Sequence, residues 1–345
     1  MANKISFGSD NYAGVCPEVM NYFQQINCGH VSGYGEDVFT EKAIDLFKME
    51  FGSNIEVFFV YNGTGANTLS LEAMTQSYNS IICSDVSHII VHEVTAPQKW
   101  TGCKFISLPH LKGKINFEQI KTVYEEGIFW GHHTALPKVV SITQPTEYGT
   151  LYSLTEIKNI ADYCHQNNML LHMDGARISN ACVALDCSFK EMTKDCGVDV
   201  LSFGATKNGL MFGDAIVFFN TELAYHFDYR QKQGLQLHSK MRFISGQFIP
   251  YLEQKIWKKN AIQANKMCQL LAIQLEKALP NCLVYSSETN QIFAKIPSII
   301  VEELHKDFHF YLFNAKEEVV RFVTSFDTKE SDIVMFGNKL ITLCK

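Results

Sequence analysis

Several features that would steer the reading elsewhere are missing from this sequence. Its eleven cysteines include no Cys-x-x-Cys pair and follow no regular spacing. An odd, irregular set suits a reducing compartment better than a disulfide framework. The opening residues, MANKISFGSD, have no apolar signal core. The longest nearly apolar stretch, Leu210 to Phe219, is interrupted by Gly213 and Asp214 and is too short to span a bilayer. Basic residues form no cluster and the formal net charge is −6, so the electrostatic footprint of a nucleic-acid binder is absent. There is no internal repeat and no low-complexity tract. The expectation is a cytoplasmic protein that engages neither membrane nor nucleic acid.

What is present is enough apolar residue, 46% of the chain, to bury a substantial core. At 345 residues the chain is too long for one small core and suits a large domain with a smaller one. The middle of the chain alternates β-branched runs with amphipathic helical stretches, which predicts a mostly parallel sheet flanked by helices, an α/β fold. Glu41 to Phe51 reads as a helix stopped by Gly52. VFFVYNGTGAN reads as a strand, a tight turn and a helix starting near Ala66. Further strands are read at Ile81–Cys83, Val139–Thr143, Met169–Met173, Val198–Phe203 and Ala215–Phe219. Ser153 and Glu156 make a capping box for a helix to about Asn167. From about Tyr251 the texture changes: one long helix to Leu279, then alternating pieces such as NQIFAKI and VVRFV. The predicted division is a large domain over residues 1–250 and a small α+β domain over 251–345.

Three segments could carry chemistry. Asn62-Gly63-Thr64-Gly65-Ala66-Asn67 lies between strand and helix, where glycines let an anion approach unpaired N–H groups. No Gly-Lys-Ser/Thr follows, and Thr68 stands where a dinucleotide fingerprint wants its third glycine. Asp174 ends a buried strand in Leu170-Leu171-His172-Met173-Asp174-Gly175-Ala176-Arg177, where ligands bind in open α/β sheets. Such an acid can hold a protonated ring nitrogen by a charge-assisted hydrogen bond. Lys207, in the small-residue turn after the Val198–Phe203 strand, is placed to be desolvated and so to serve as a Schiff-base amine, with Thr206 beside it able to donate to a phosphate. Each segment alone has an ordinary explanation: a glycine turn, an acid capping a helix or pairing with Arg177, a surface lysine. His88-x-x-x-His92-Glu93 has zinc-like spacing, but Ile89-Ile90-Val91 favours a strand that separates the histidines, so no metal is expected.

The ordered set is more specific than its parts. Glycine turn, Asp-Gly-Ala-Arg after a strand, and strand-Thr-Lys about thirty residues later resemble the layout of fold-type-I pyridoxal 5′-phosphate enzymes. His172 to Ala181, HMDGARISNA, closely resembles the motif of the low-specificity L-threonine aldolases within the aromatic-amino-acid β-eliminating lyase/threonine aldolase family. The likeness runs along nearly the whole chain: Ser9-Asp10, Gly33 to Asp37, Gly63 to Asn67, Ser87-His88 with Glu93, Lys207-Asn208-Gly209, and Val320 to Thr324.

The resemblance implies an aspartate-aminotransferase-like large domain and these roles. Lys207 joins the cofactor, Asp174 faces its pyridine nitrogen and His88 stacks on its ring. Gly63, Thr64 and Gly65 cradle its phosphate, with Thr206 and Arg177 also on the cofactor. Ser9, Arg177 and Arg321 hold the carboxylate of an amino-acid substrate. The implied reaction is retro-aldol Cα–Cβ cleavage of L-threonine or L-allo-threonine to glycine and an aldehyde such as acetaldehyde, as in threonine catabolism and glycine biosynthesis. His88, directly or through a water, is the preferred base, with Glu93 and Glu147 the other candidates. A homo-oligomer is implied as well, a dimer or a tetramer built from dimers.

Two segments depart from the family pattern. Thr146-Glu147-Tyr148-Gly149 stands where these aldolases commonly carry Thr-His-Asn-Gly, so no threo or erythro preference carries across. Arg230-Gln231-Lys232-Gln233-Gly234 replaces a glycine-rich run near the subunit interface, and surface pairing is the expected duty of Arg230 and Lys232. The competing readings are a β-eliminating lyase, a racemase or a phenylserine aldolase with the same cofactor. More distant are a nicotinamide-dependent oxidoreductase and a silent scaffold.

Overall fold

A computed structural model describes residues 4–344 of the chain. Its main sheet has seven strands: β2 (Glu56–Val60), β3 (Asn79–Ser84), β4 (Lys104–Leu108), β5 (Leu136–Thr143), β6 (Leu170–Gly175), β7 (Val200–Phe203) and β8 (Asp214–Phe218), in the spatial order β2-β8-β7-β6-β5-β3-β4. β8 runs antiparallel to both neighbours, and the remaining pairs are parallel. The period-two alternation of strands divides their side chains between two cores. Ile82, Leu201, Phe203, Ala215 and Val217 join one core, while Ile81, Cys83, Val200, Ile216 and Phe218 join the other. Burial on both faces is why these strands read as continuous apolar runs.

Local signals set the helices around this sheet. Asp37 accepts from the backbone N–H of Phe39 and Thr40 at 3.0 and 2.9 Å and starts Val38–Phe51, and Gly52, at φ 98°, ends it. Both hydrogen bonds of the Ser153/Glu156 capping box form at the head of Leu154–Gln166.

Three expectations are corrected. The glycine segment is itself the first turn of a helix, Gly63–Ala73, because Asn62 caps it by accepting from Gly65 N–H at 2.8 Å. The His88–Val91 run is a helical turn rather than a strand. β3 ends at Ser84, a turn closed by Ser87 N–H on the Ser84 carbonyl leads the chain off the sheet, and Ile89 drops into the core. The long C-terminal helix is two, Phe248–Glu253 and Ile256–Ala278, parted where Lys255 takes φ 51°. The break lets Phe248, Tyr251, Leu252, Ile256 and Trp257 all reach one core, a stripe wider than a single helix presents.

The second helix continues past the sheet into a separate core, contributing Met267, Cys268, Leu271 and Leu275. There β9 (Gln291–Lys295) and β11 (Tyr311–Asn314) flank β12 (Val319–Val323) in an antiparallel sheet. The N-terminal β1 (Ile5–Ser6) pairs with β10 (Phe308–His309), and Phe7 is fully buried beside Phe308, Phe322 and Phe336. The first residues of the chain are thus pinned to its last third, and residues 9–11 are carried towards the main sheet.

Phe47 sits at the centre of the aromatic packing on one sheet face, 5.2–5.9 Å from the rings of Phe51, Phe59, Phe203 and Phe248. Phe47→Ala should lower unfolding free energy by about 3–5 kcal/mol. The exposed Trp130→Ala should stay within about 0.5 kcal/mol. Urea denaturation followed by circular dichroism measures both, and equal effects would contradict this packing.

Candidate active site

Six strands, all but β8, bring their carboxyl ends to one edge of the main sheet, and antiparallel β8 begins at the same edge. The result is a cavity of about 380 Å³ into which the segments after β2, β3, β5, β6 and β7, and the head of β8, all project.

Lys207 follows β7 in a short helical turn, Thr206–Asn208. Two contacts fix the turn. Gly204 lies so close to Ala176 that a Cβ would be 2.5 Å from its Cα. Asn208 donates from Nδ2 to the Tyr251 hydroxyl at 2.8 Å and the Trp257 carbonyl at 2.9 Å. The amine itself has neither an ion pair nor a hydrogen bond among the described residues. Burial holds its pKa below the usual lysine range and the Arg177 guanidinium adds to that, against the pull of Asp10, Asp174 and Asp214.

Asp174, 4% exposed at the end of β6, has neutral donors only: Ala176 N–H on Oδ1 at 2.9 Å and Asn67 Nδ2 on Oδ2 at 2.9 Å. Asn67 also donates to Glu93 Oε1 at 2.9 Å, and that oxygen meets His88 Nδ1 at 2.8 Å. The Glu93 contact raises the His88 pKa against the opposing effect of burial. On the other side, Glu147 Oε1 accepts from the His88 backbone N–H at 2.9 Å and from Thr143 Oγ1 at 2.7 Å. Burial pushes the Glu147 carboxyl up to about 7.

At the head of the Gly63–Ala73 helix, the N–H groups of Gly63 and Thr64 have no protein acceptor among the described residues, and both residues line the cavity. A helix start with free N–H groups suits an anion. Gly65 is turned away: its N–H is used by Asn62, and a Cβ there would lie 2.4 Å from the Gln236 side chain. Thr206 Oγ1 is 3.2 Å from the Gly213 carbonyl and 3.5 Å from Asp214 Oδ1. Asp214 also stands 3.1 Å from where a Gly63 Cβ would be.

Arg177 lines the cavity with one edge of its guanidinium already used. Nε and Nη2 donate to the two oxygens of the buried Asp10 at 2.6 and 2.9 Å, and Asn290 Nδ2 donates to Asp10 at 3.0 Å. Asp10 belonged to a motif in the sequence, but nothing there marked it as this partner. Nothing marked the bridging role of Asn67 or the position of Asp214 either. Ser9 and Arg321 stand outside the cavity lining. Ser9 caps the short turn Asp10–Tyr12, accepting from Asn11 N–H at 3.2 Å. Arg321 donates from Nη2 to the Gly8 carbonyl at 3.3 Å and lies 5.5 Å from the Tyr311 ring centre, its Nε buried without a partner. Arg230 pairs with Glu72 of its own chain at 2.5 Å, and Lys232 lies 4.6 Å from the Tyr34 ring centre. The structure therefore gathers Lys207, Asp174, His88, Arg177, Thr206, Gly63 and Thr64 around one cavity.

Burial works to raise the Asp10 pKa, but Arg177 outweighs it, with Lys207 and Asn290 helping, and the carboxyl lies below its usual range. The ion pair stabilises the fold above the unfolded carboxylate value of about 3.9 and is lost as pH falls through the lower folded value. Asp10→Ala leaves Arg177 buried and unpaired and should cost roughly 3–5 kcal/mol at pH 7 in denaturant unfolding. A cost that persists unchanged at a pH where Asp10 is protonated would contradict the pair.

The Beta-eliminating lyase family profile matches residues 6–297 of this chain. A low specificity L-threonine aldolase from Pseudomonas sp. (strain NCIMB 10558) is 42% identical over 332 residues, spanning 95% of this chain and 94% of that protein. One from Pseudomonas aeruginosa is 41% identical over 326 residues, 93% of each. The Leishmania major threonine aldolase structure superposes with a TM-score of 0.94 at 27% identity, covering 99% of this chain and 100% of that one.

Proposed function

This chain belongs to the beta-eliminating lyase family, and on that footing we propose that it is a pyridoxal-phosphate-dependent aldolase. Its substrates are L-threonine, L-allo-threonine and related β-hydroxy-α-amino acids, cleaved to glycine and an aldehyde. The relatives at 41–42% identity over nearly their full length carry the choice of reaction. The observation that carries the site is an unpartnered buried amine beside a buried carboxylate that has no cation.

The residues present fit the cofactor. A free amine at Lys207 suits its aldehyde, and Asp174 suits a protonated ring nitrogen. The free N–H groups of Gly63 and Thr64 suit its phosphate. His88, its imidazole anchored by Glu93, would form one wall against the ring. When bound, the cofactor supplies a sink for the electrons of the breaking Cα–Cβ bond.

The chain's own work is orientation and proton handling. Arg177 keeps its second edge for the substrate carboxylate while Asp10 holds the first. Arg321, with its free Nε, and Ser9 would complete that clamp from just outside the lining. Depressing the Lys207 pKa keeps part of the amine neutral, the form that can attack a carbonyl.

A cytoplasmic homo-oligomer, a dimer or a dimer of dimers, is part of the same reading. All eleven cysteines are free thiols, as a reducing compartment would leave them. Tyr34, Tyr61, Met211 and Leu235 are exposed apolar side chains on neighbouring segments, a surface suited to a second subunit.

Purified holoenzyme incubated with L-threonine, L-allo-threonine and phenylserine should release aldehyde and glycine. Ammonia and a keto acid in their place would favour a β-eliminating lyase. Lys207→Ala should abolish borohydride fixation of the cofactor to the chain, read by peptide mapping, and fixation persisting without the lysine would remove it from the role. Arg321→Ala should raise KM for threonine roughly 10- to 100-fold, the worth of a charge-assisted hydrogen bond of ~1.5–3 kcal/mol. An unchanged KM and kcat would exclude Arg321 from the clamp.

A further inference from the structure

Glu147 is a buried carboxyl in the cavity wall that uses one oxygen twice and the other not at all. Oε1 takes the Thr143 hydroxyl and the His88 N–H, and Oε2 is buried with no donor. An unsatisfied buried oxygen is costly, and a cavity wall is where a bound hydroxyl can satisfy it. Two rival proton acceptors line the same cavity. Glu93 also has an unpaired Oε2, but its side chain is fully enclosed, with Oε1 shared between Asn67 and His88. His88 is fixed through Nδ1 to that carboxylate, a contact that raises its pKa and so works against the neutral form that accepts a proton.

Resting on the aldolase reading, we propose that Glu147 is the catalytic residue that accepts the proton of the substrate's β-hydroxyl. As the O–H bond breaks, its electron pair becomes the C=O π bond of the departing aldehyde. The Cα–Cβ pair stays with the amino-acid fragment, and a proton delivered to Cα completes glycine. Threonine is thereby divided into glycine and acetaldehyde with no oxidant, reductant or added water. The other two contacts on Oε1 hold the carboxyl in place while leaving Oε2 to the substrate.

The acceptor is the ionised form. Burial raises the Glu147 pKa to about 7, so cleavage should rise with pH through that region. The titratable and charged groups facing it are His88 on the helical turn after β3, Cys83 at the end of β3, Asp174 at the end of β6 and Arg177 just beyond it, and Tyr148 and Tyr152 on its own loop. Asp174 opposes ionisation of Glu147.

The test compares two reactions of the holoenzyme, threonine cleavage and exchange of the glycine α-proton with deuterated solvent followed by NMR. Exchange needs the cofactor, Lys207 and the carboxylate clamp, but no β-hydroxyl. Glu147→Gln should cut kcat for threonine by about 10²–10⁴-fold, the usual worth of general base catalysis. It should leave KM and the glycine exchange rate within a few-fold of wild type. Its residual cleavage should lose the acid limb near pH 7, and Glu147→Asp should recover part of the rate. Wild-type cleavage by the Gln variant, or an equal loss of glycine exchange, overturns the assignment. So does an acid limb that survives Glu147→Gln but vanishes in a His88 variant. If wild-type protein exchanges the glycine proton yet releases no aldehyde from any β-hydroxy amino acid, the aldolase reading fails and takes this assignment with it. An indifferent Gln variant beside normal wild-type cleavage sinks the assignment alone.

Discussion

A lysine amine held in a buried cavity with no anion in contact is the constraint around which this molecule is organised. Asp10, Asp174 and Asp214 all act on that amine and Arg177 lies beside it, and the pairing among them is selective. Asp10 takes Arg177 in a two-point contact, which leaves Asp174 with neutral donors and Lys207 with nothing. Burial, with repulsion from Arg177 added to it, holds the pKa of the amine below the usual lysine range. A surface lysine would find water and an acid without strain. This one is held by the packing of Gly204 on Ala176 and of Asn208 under Tyr251, so its chemistry follows from the tightness of the turn beneath it.

Strand direction explains how residues from 62 to 214 come together. Parallel strands joined by right-handed crossovers present all their carboxyl ends at one edge. The glycine helix, the His88 turn, the Glu147 loop and Lys207 each follow closely on a strand, and Asp174 lies at the end of one. β8 is antiparallel and contributes its beginning instead, setting Asp214 beside Gly63. The N-terminal segment reaches the same place by another route. Pairing of Ile5–Ser6 with Phe308–His309 leaves Asp10 within reach of Arg177 and Gly8 within reach of Arg321.

Legibility in the sequence followed how local each determinant was. The buried strands, the Asp37-to-Gly52 helix and the Ser153/Glu156 box are set by neighbours along the chain, and so was the segment order that marked Asp174 and Lys207. Errors arose where long-range packing decided. Glycines at 63 and 65 suggested a loop, yet the Asn62 cap and the close approach of Gln236 make them the start of a helix. Ile89-Ile90-Val91 had strand composition, but β3 had already ended and the run was free to coil. The Asp10–Arg177 contact joins positions 167 residues apart, and the Asn67–Asp174 contact spans 107. No spacing rule could find either.

Several of the unsatisfied buried polar atoms among the described residues lie at or beside the cavity. Asn67 Oδ1, Glu93 Oε2, Glu147 Oε2, Asn290 Oδ1 and Arg321 Nε are all buried without partners. Those of Asn67, Glu93 and Glu147 line the cavity, Asn290 holds Asp10 behind it and Arg321 stands just outside it. Others are scattered through the fold, such as Ser70 Oγ, Ser80 Oγ and His305 Nε2, whereas His172, inside the sheet, is held by the Ser141 and Ser202 hydroxyls while burial pushes its pKa down to about 4. A fold able to satisfy a histidine in mid-sheet could have satisfied a glutamate at the sheet edge. Where several unpaired carboxylate and amide oxygens share one cavity, partners that arrive with a ligand explain them better than loose packing does. The fold tolerates those exposed valences because the Asp10–Arg177 pair and the Asn67 bridge hold the surrounding side chains in register without them.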